Sequence, residues 1–196
     1  MRKREGNKEQ AILDAAVKVF AQHGYHRAKI SSIAEHAKVA TGSIYLYYRD
    51  KENILLTIFD RFWTTLTAEL HIIVKRTDIH PTEKLDLVID AFFKMFIANS
   101  SLATVFVNEQ NHLVKDKRSN VAKQFENYLD IAEEIIREGV RKGQFNPDID
   151  IKLFRHYIIG GIRTVLQYWA QQPNTLSLDR ICNNVKYFSK NGLLIK

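Results

Sequence analysis

A chain of 196 residues that is 45% hydrophobic and 26% charged is long enough to bury a core and too apolar to stay disordered. No apolar run approaches the ~18–20 residues that cross a bilayer, and the polar, basic stretch Met1–Gln10 lacks the apolar segment of a secretory leader. The formal charge of +7 is concentrated: residues 1–51 hold ten Lys/Arg against five Asp/Glu, while residues 52–196 hold 19 against 17. Such a basic end predicts a polyanionic partner, either nucleic acid or an anionic membrane surface. With Cys182 as the only cysteine no internal disulfide can form, which fits a reducing compartment, and a cytoplasmic protein without a membrane partner is expected.

Apolar positions recur at helical spacing along almost the whole chain, with no convincing strand. A first helix is expected from about Asn7 to His23, with Ile12, Ala15, Ala16, Val19 and Phe20 on one face and Gly24 as its left-handed stop. Short helices follow near Ile30–Ala37 and Thr41–Tyr48. Asp50 can cap a long fourth helix reaching about Arg76. Thr82 can cap a fifth helix through Ala98, and a sixth covers Leu102–Leu113. A seventh ends near Lys142 before Gly143, an eighth runs from the Asn146-Pro147-Asp148 turn to Gln172 and is closed by Pro173-Asn174, and a ninth spans Leu178–Asn191. The expected fold is all-α, about nine helices. An N-terminal three-helix unit over residues 1–51 carries a larger helical bundle over residues 52–196.

Two helices as short as those at 30–48 cannot persist alone in water. They need the first helix as cover, and Ile33, Ala37, Val39, Ile44 and Tyr48 are spaced to face it. This is the pattern of a helix-turn-helix, whose second helix enters the major groove of DNA. Thr41, Gly42 and Ser43 are small enough there for close approach to bases or phosphates. Tyr45 and Tyr47 are expected to point outward, and Lys51 to meet a phosphate on the flank.

Gly24-Tyr25, Ile33-Ala34-Glu35, the run Val39 to Tyr48 and Lys51-Glu52-Asn53-Ile54-Leu55 together resemble the N-terminal domain of the tetracycline-repressor (TetR) family. The resemblance implies a homodimeric transcriptional repressor that binds a palindromic double-stranded operator and is released by a small effector. It also implies DNA contacts at positions matching Ala40, Thr41, Gly42, Ser43, Tyr45, Tyr47 and Lys51. Two departures stand out. Lys38 occupies a turn position that is often glycine in the family, which implies some strain. Ala28 and Lys29 stand where threonines often open the second helix, so a phosphate contact there passes to Lys29 or Ser31 or is lost.

The family resemblance places the dimer interface in the last two helices. Ile158, Gly161, Ile162 and Val165 in the eighth, with Ile181, Val185 and Phe188 in the ninth, have the spacing for it. Gly160-Gly161 would be tolerated for close approach of a neighbouring helix. The segment Gly143–Asp150, with Gly160-Gly161, Trp169 and Asn191-Gly192-Leu193, resembles the FadR-type branch, which responds to long-chain acyl-CoA. Phe92, Phe93, Phe96, Phe106 and Phe125 supply aromatic lining for an apolar effector tunnel. Arg163 and Gln167 are candidates for a polar ligand group, or for bonds across the dimer or to Asp86 or Asp90.

Competing readings are a regulator of multidrug efflux that senses aromatic or cationic compounds, and a helical membrane-surface or interaction protein. The Glu-x-x-His spacing of Glu109 and His112 occurs once, where a di-iron bundle needs two copies and two further glutamates. Asp86 and Asp90 share a helical face without any nucleophile motif, so solvation or ion pairing is the expectation. No metal, cofactor, catalytic residue or enzymatic activity is expected.

Overall fold

A computed structural model describes residues 2–115, 119–172 and 175–194. Among them the helices are α1 Arg2–His23, α2 Ile30–Ala37, α3 Thr41–Ile44, α4 Lys51–Lys75, α5 Pro81–Ala98, α6 Ser100–Lys115, α7 Asn120–Arg141, α8 Ile151–Gln171 and α9 Leu178–Leu193. One isolated bridge between Phe145 and Leu194 is the sole extended pairing among the described residues. Pro173-Asn174, expected to close α8, lies outside the described residues.

Most helix ends follow from local chemistry. Gly24 takes φ +75° after α1, and its N–H donates to the Phe20 carbonyl at 2.9 Å. Asp50 accepts from Asn53 N at 2.7 Å, Asp150 from Leu153 N at 2.9 Å and Ser177 from Arg180 N at 3.2 Å, each satisfying a first-turn donor. Thr82 does not cap α5. His80 is the N-cap, with Pro81 in the first turn and the Glu83 carboxylate accepting from His80 N at 2.9 Å, because proline has no N–H to leave orphaned there. Between α5 and α6 only Asn99 is non-helical, and the axis turns by 110°.

The bundle is organised around α4, which packs along α7 and also meets α5 and α1. α5 lies against α9 and α7, and α6 lies against α8 on one side and α1 on the other. One continuous buried cluster therefore runs from Ile12, Val19 and Phe20 of α1 through Phe59, Phe62 and Trp63 of α4 to Phe93 and Phe96 of α5. No contact gap separates residues 1–51 from the rest. Lys84 is 2% exposed, and its Nζ donates to the Val74 carbonyl at 2.9 Å and to Glu138 at 2.7 Å, clamping α4, α5 and α7. Asp86 pairs with Lys190 at 2.8 Å and Asp90 with Lys186 at 2.7 Å, tying α5 to α9. No single described helix is long and apolar enough to cross a membrane.

Candidate nucleic-acid interface and ligand cavity

α2 and α3 are held from beneath: Ile33, Ala34, Ile44 and Tyr48 are buried against the apolar face of α1. The turn between them passes through Lys38 at φ 55°, ψ 44°, the one non-glycine residue with positive φ among those described. Val39 N donates to the Ala34 carbonyl at 3.0 Å and Lys38 N to Glu35 at 3.1 Å, so orphan carbonyls of α2 are satisfied at the cost of left-handed backbone. Tyr48 Oη donates to Glu9, and Arg61 of α4 donates to Glu9 and, at 2.9 Å, to Gln10. Glu9 thus joins α1, the turn after α3 and α4. Burial, then the neighbouring Glu9 carboxylate, pushes the Tyr48 phenol far above its ordinary pKa.

α3 is shorter than expected. It is α-helical only over Thr41–Ile44, and Leu46 N and Tyr47 N then bond three residues back, to Ser43 and Ile44. Tyr48 N still bonds four residues back, to Ile44 at 2.9 Å, and its side chain faces inward as expected. Lys29, Ser31, Ala40, Thr41, Gly42 and Tyr45 lie at the surface, with Ser43 partly covered. Tyr47 is half-buried and packs on the core rather than pointing outward, whereas Leu46, unremarked in the sequence, is 81% exposed. Lys51 departs furthest from expectation. Its Nζ donates to the carbonyls of Tyr25 at 2.7 Å, His26 at 3.0 Å and Ala28 at 3.1 Å, and sits 4.6 Å from the Tyr25 ring centroid. All three ammonium protons are engaged within the chain, so Lys51 braces the loop before α2.

A second feature lies in the body. A cavity of about 220 Å³ opens between α4, α5, α6, α7 and α8, walled largely by apolar side chains. Of the expected lining, Phe92, Phe106, Phe125 and Arg163 are there. Phe93 lies about 100° around α5 from Phe92 and packs into the core, whereas Phe96 and Gln167 each stand one turn along from a lining residue, on the same helix side but not in the wall: Phe96 is fully buried in the core and Gln167 faces solvent. Sequence reasoning missed Trp63, Gln110, Tyr128, Glu133 and Arg155, which come from helices distant in sequence. Arg155 donates to Asp130 at 2.8 Å, to Glu133 at 2.9 Å and to Glu126, and Glu133 also accepts from Arg137 at 2.7 Å. Arg163 has no ion-pair or hydrogen-bond partner among the described residues. Neither the cavity nor any other described region groups three metal-ligating side chains.

The expected dimer residues divide. Ile181 is buried in the chain's own core, Val165 and Val185 pack on that core, and Ile158 and Ile162 line the cavity. Gly161 and Phe188 remain at the surface. They share it with Leu153, Tyr157 and Tyr168 of α8 and Tyr187 of α9, all exposed by 48% or more. A Cβ placed on Gly160 or Gly161 would meet nothing within 4 Å, so no neighbour among the described residues explains those glycines.

Residues 12–58 match the family described as "Bacterial regulatory proteins, tetR family", and residues 78–186 match "Tetracyclin repressor-like, C-terminal domain". The fatty acid metabolism regulator protein of Bacillus subtilis is 31% identical over 191 residues, spanning 97% of this chain and 98% of that one. The crystal structure of FadR from Bacillus subtilis in complex with stearoyl-CoA superposes with a TM-score of 0.77 at 30% identity, covering 93% of this chain and 98% of that one. The ketosteroid regulator KstR2 of Mycobacterium tuberculosis, at 19% identity and a TM-score of 0.80 over 96% of this chain and 95% of that one, shares the fold. A buried helix-turn-helix scaffold with an exposed, small-residue third helix, matched along both halves of the chain, has one reading: the protein is a DNA-binding transcriptional regulator, not an enzyme, and it belongs to the TetR family.

Proposed function

We propose that the chain is a homodimeric repressor whose hold on a palindromic operator is released when a long-chain acyl-CoA enters the body cavity. The observation that carries this is the cavity itself. Its wall joins Phe92, Phe106 and Phe125 to Val88, Ile89 and Ile162, an apolar lining that suits a hydrocarbon chain. Arg163, without a partner among the described residues, is a cation for an anionic head group. The likeness to a FadR that binds stearoyl-CoA supports the same ligand class.

Lys29, Ser31, Ala40, Thr41, Gly42, Ser43 and Tyr45 form the DNA face, with the half-buried Tyr47 at its edge. Two copies meet through the exposed stripe Leu153, Tyr157, Gly161 and Tyr168 on α8 and Tyr187 and Phe188 on α9, where the bare glycines admit a partner helix. The place of action is then wherever the DNA lies, the cytoplasm. A monomer in analytical ultracentrifugation at micromolar concentration would remove the dimer from this scheme.

Release works by linkage: an effector lowers DNA affinity only as far as it prefers the conformer with misplaced recognition helices. The cavity wall includes Trp63 on α4 and Phe106 on α6. α4 continues directly from the helix-turn-helix and α6 abuts α1, so filling the cavity strains both connections. A helix of 25 residues is ~37 Å long, and tilting it by roughly 5° moves its far end by about 3 Å. Recognition helices must lie about 34–36 Å apart to meet successive grooves. The test titrates acyl-CoAs of increasing chain length against a preformed operator complex. Dissociation by long chains, weakened by Arg163→Leu, is expected. Dissociation by an aromatic cation with none by any acyl-CoA would transfer the protein to the multidrug-sensing reading.

A further inference from the structure

α3 and the turn after it leave one side that the fold does not use. Ile44 is fully buried, and two residues are roughly 200° around a helix, so Gly42 and Leu46 both stand on the side away from the core. Leu46 is 81% exposed, more than any other large hydrophobic side chain among the described residues. Its backbone is nevertheless held, since Leu46 N donates to the Ser43 carbonyl at 3.3 Å. A Cβ placed on Gly42 would meet nothing within 4 Å, so no neighbour among the described residues requires a glycine there. A lone exposed leucine is ordinary on a protein surface. Leu46 differs by its place, on the outward side of the DNA-reading unit, beside the exposed Tyr45.

We infer that Leu46 reads thymine: its side chain packs on the 5-methyl group of a thymine in each half of the operator. This rests on the DNA face proposed for Thr41, Gly42 and Tyr45 and deepens it by naming a base. In the major groove the thymine methyl is the apolar group on the base edges, while the other bases present hydrogen-bond donors and acceptors. Leucine has neither donor nor acceptor. It gains by covering a methyl and loses by cutting a polar base edge off from water. The hydroxyls of Thr41, Ser43 and Tyr45 serve phosphates as well as bases, whereas an apolar side chain gains nothing from a phosphate. Gly42, one turn before Leu46, brings no side chain to the same side, so the helix can approach until leucine's short reach meets the base edge.

The experiment selects duplexes from a random-sequence pool with the full chain and takes the tightest binder as its probe. Each thymine of that duplex is replaced in turn, at symmetry-related positions, by deoxyuridine, which lacks only the 5-methyl group. Affinity is measured by fluorescence anisotropy at one salt concentration for the parent and for Leu46→Ala. Burying one methyl is worth about fourfold, so loss of both methyls of one thymine pair is expected to weaken the parent by roughly fifteenfold. The same replacement should cost Leu46→Ala little, and a selection repeated with that variant should lose thymine at that position alone. Leu46→Ala should melt with the parent, since so exposed a side chain holds nothing in place. If every deoxyuridine replacement affects the two proteins equally, or Leu46→Ala binds all duplexes more weakly by one common factor, the thymine assignment falls. Tyr45→Ala separates that failure from a wider one. Weaker binding by Tyr45→Ala keeps the DNA face, and unchanged affinity in both variants removes the whole face from DNA.

Discussion

Replacing Lys51 with Met keeps the apolar stem of the side chain and removes the terminal ammonium with its charge. The structure assigns Lys51 to the loop between α1 and α2, where its ammonium bonds three carbonyls. The Tyr25 and Ala28 bonds are partly buried and worth about 1 kcal/mol each, while the exposed His26 carbonyl can turn to water at little cost. The cation–π contact with Tyr25 adds about 0.5–1 kcal/mol. A loss of about 2–3 kcal/mol should lower the melting temperature by roughly 4–10 °C for a chain of this size. Operator titrations at several salt concentrations supply the second readout. A phosphate ligand would take ~0.9 from the slope of log K against log salt. A brace removes none of that slope, although affinity falls at every salt concentration as the loop presenting Lys29 loosens. An unchanged melting temperature together with a slope reduced by about one unit would refute the bracing role and return Lys51 to the DNA.

Other perturbations test the frame around the site. Lys38→Gly relieves a left-handed residue, worth about 1–2 kcal/mol, against about 0.5–1 kcal/mol of added chain freedom; the melting temperature should rise by about 1–3 °C without loss of operator binding. Gly139→Ala drives a methyl to within 2.1 Å of the Phe145 ring, which is fully buried, so despite about 1 kcal/mol gained in helix propensity a net loss of about 2 kcal/mol is expected in denaturant unfolding. Burial raises the Glu138 carboxyl, but hydrogen bonds from Lys142 and Lys84 outweigh it and hold the group below its ordinary value. Its contribution to stability is therefore complete above the ordinary glutamate pKa of ~4.3 and is lost as pH falls through the lower folded value. Lys84→Met should flatten that acid limb of the stability curve, and an unaltered limb would count against the clamp. Tyr45→Ala, at an exposed position on α3's flank, should weaken operator binding without changing the melting temperature.

Much of this protein is legible in the linear sequence because its rules are local. Gly24, Asp50 and Gly143 mark helix ends through bonds to residues three or four positions away, and the apolar spacing of Ile33, Ala37 and Ile44 marks a face that must be covered. The strain at Lys38 follows from the family resemblance, which often has glycine at that turn position, and not from any local rule in this chain. The long-range assignments could not be read this way. Lys51 reaches carbonyls 23 to 26 residues earlier, and Lys84 finds Glu138 54 residues on; a lone lysine carries no mark of its distant partner. α8 shows the limit most plainly. Leucine, isoleucine, tyrosine and tryptophan lie on nearly every side of it, so no period in the sequence separates the face that lines the cavity from the face left for a partner. Packing against α6 and α7 turned Ile158 and Ile162 inward and left Leu153, Tyr157 and Tyr168 exposed. The sequence alone determined which segments are helices, because hydrogen bonding and amphipathic spacing act within a few residues, and the motif between Gly24 and Leu55 carried the likeness to a DNA-binding family. Only the tertiary structure decided where the cavity opens and which side chains line it, because that depends on five helices filling space together.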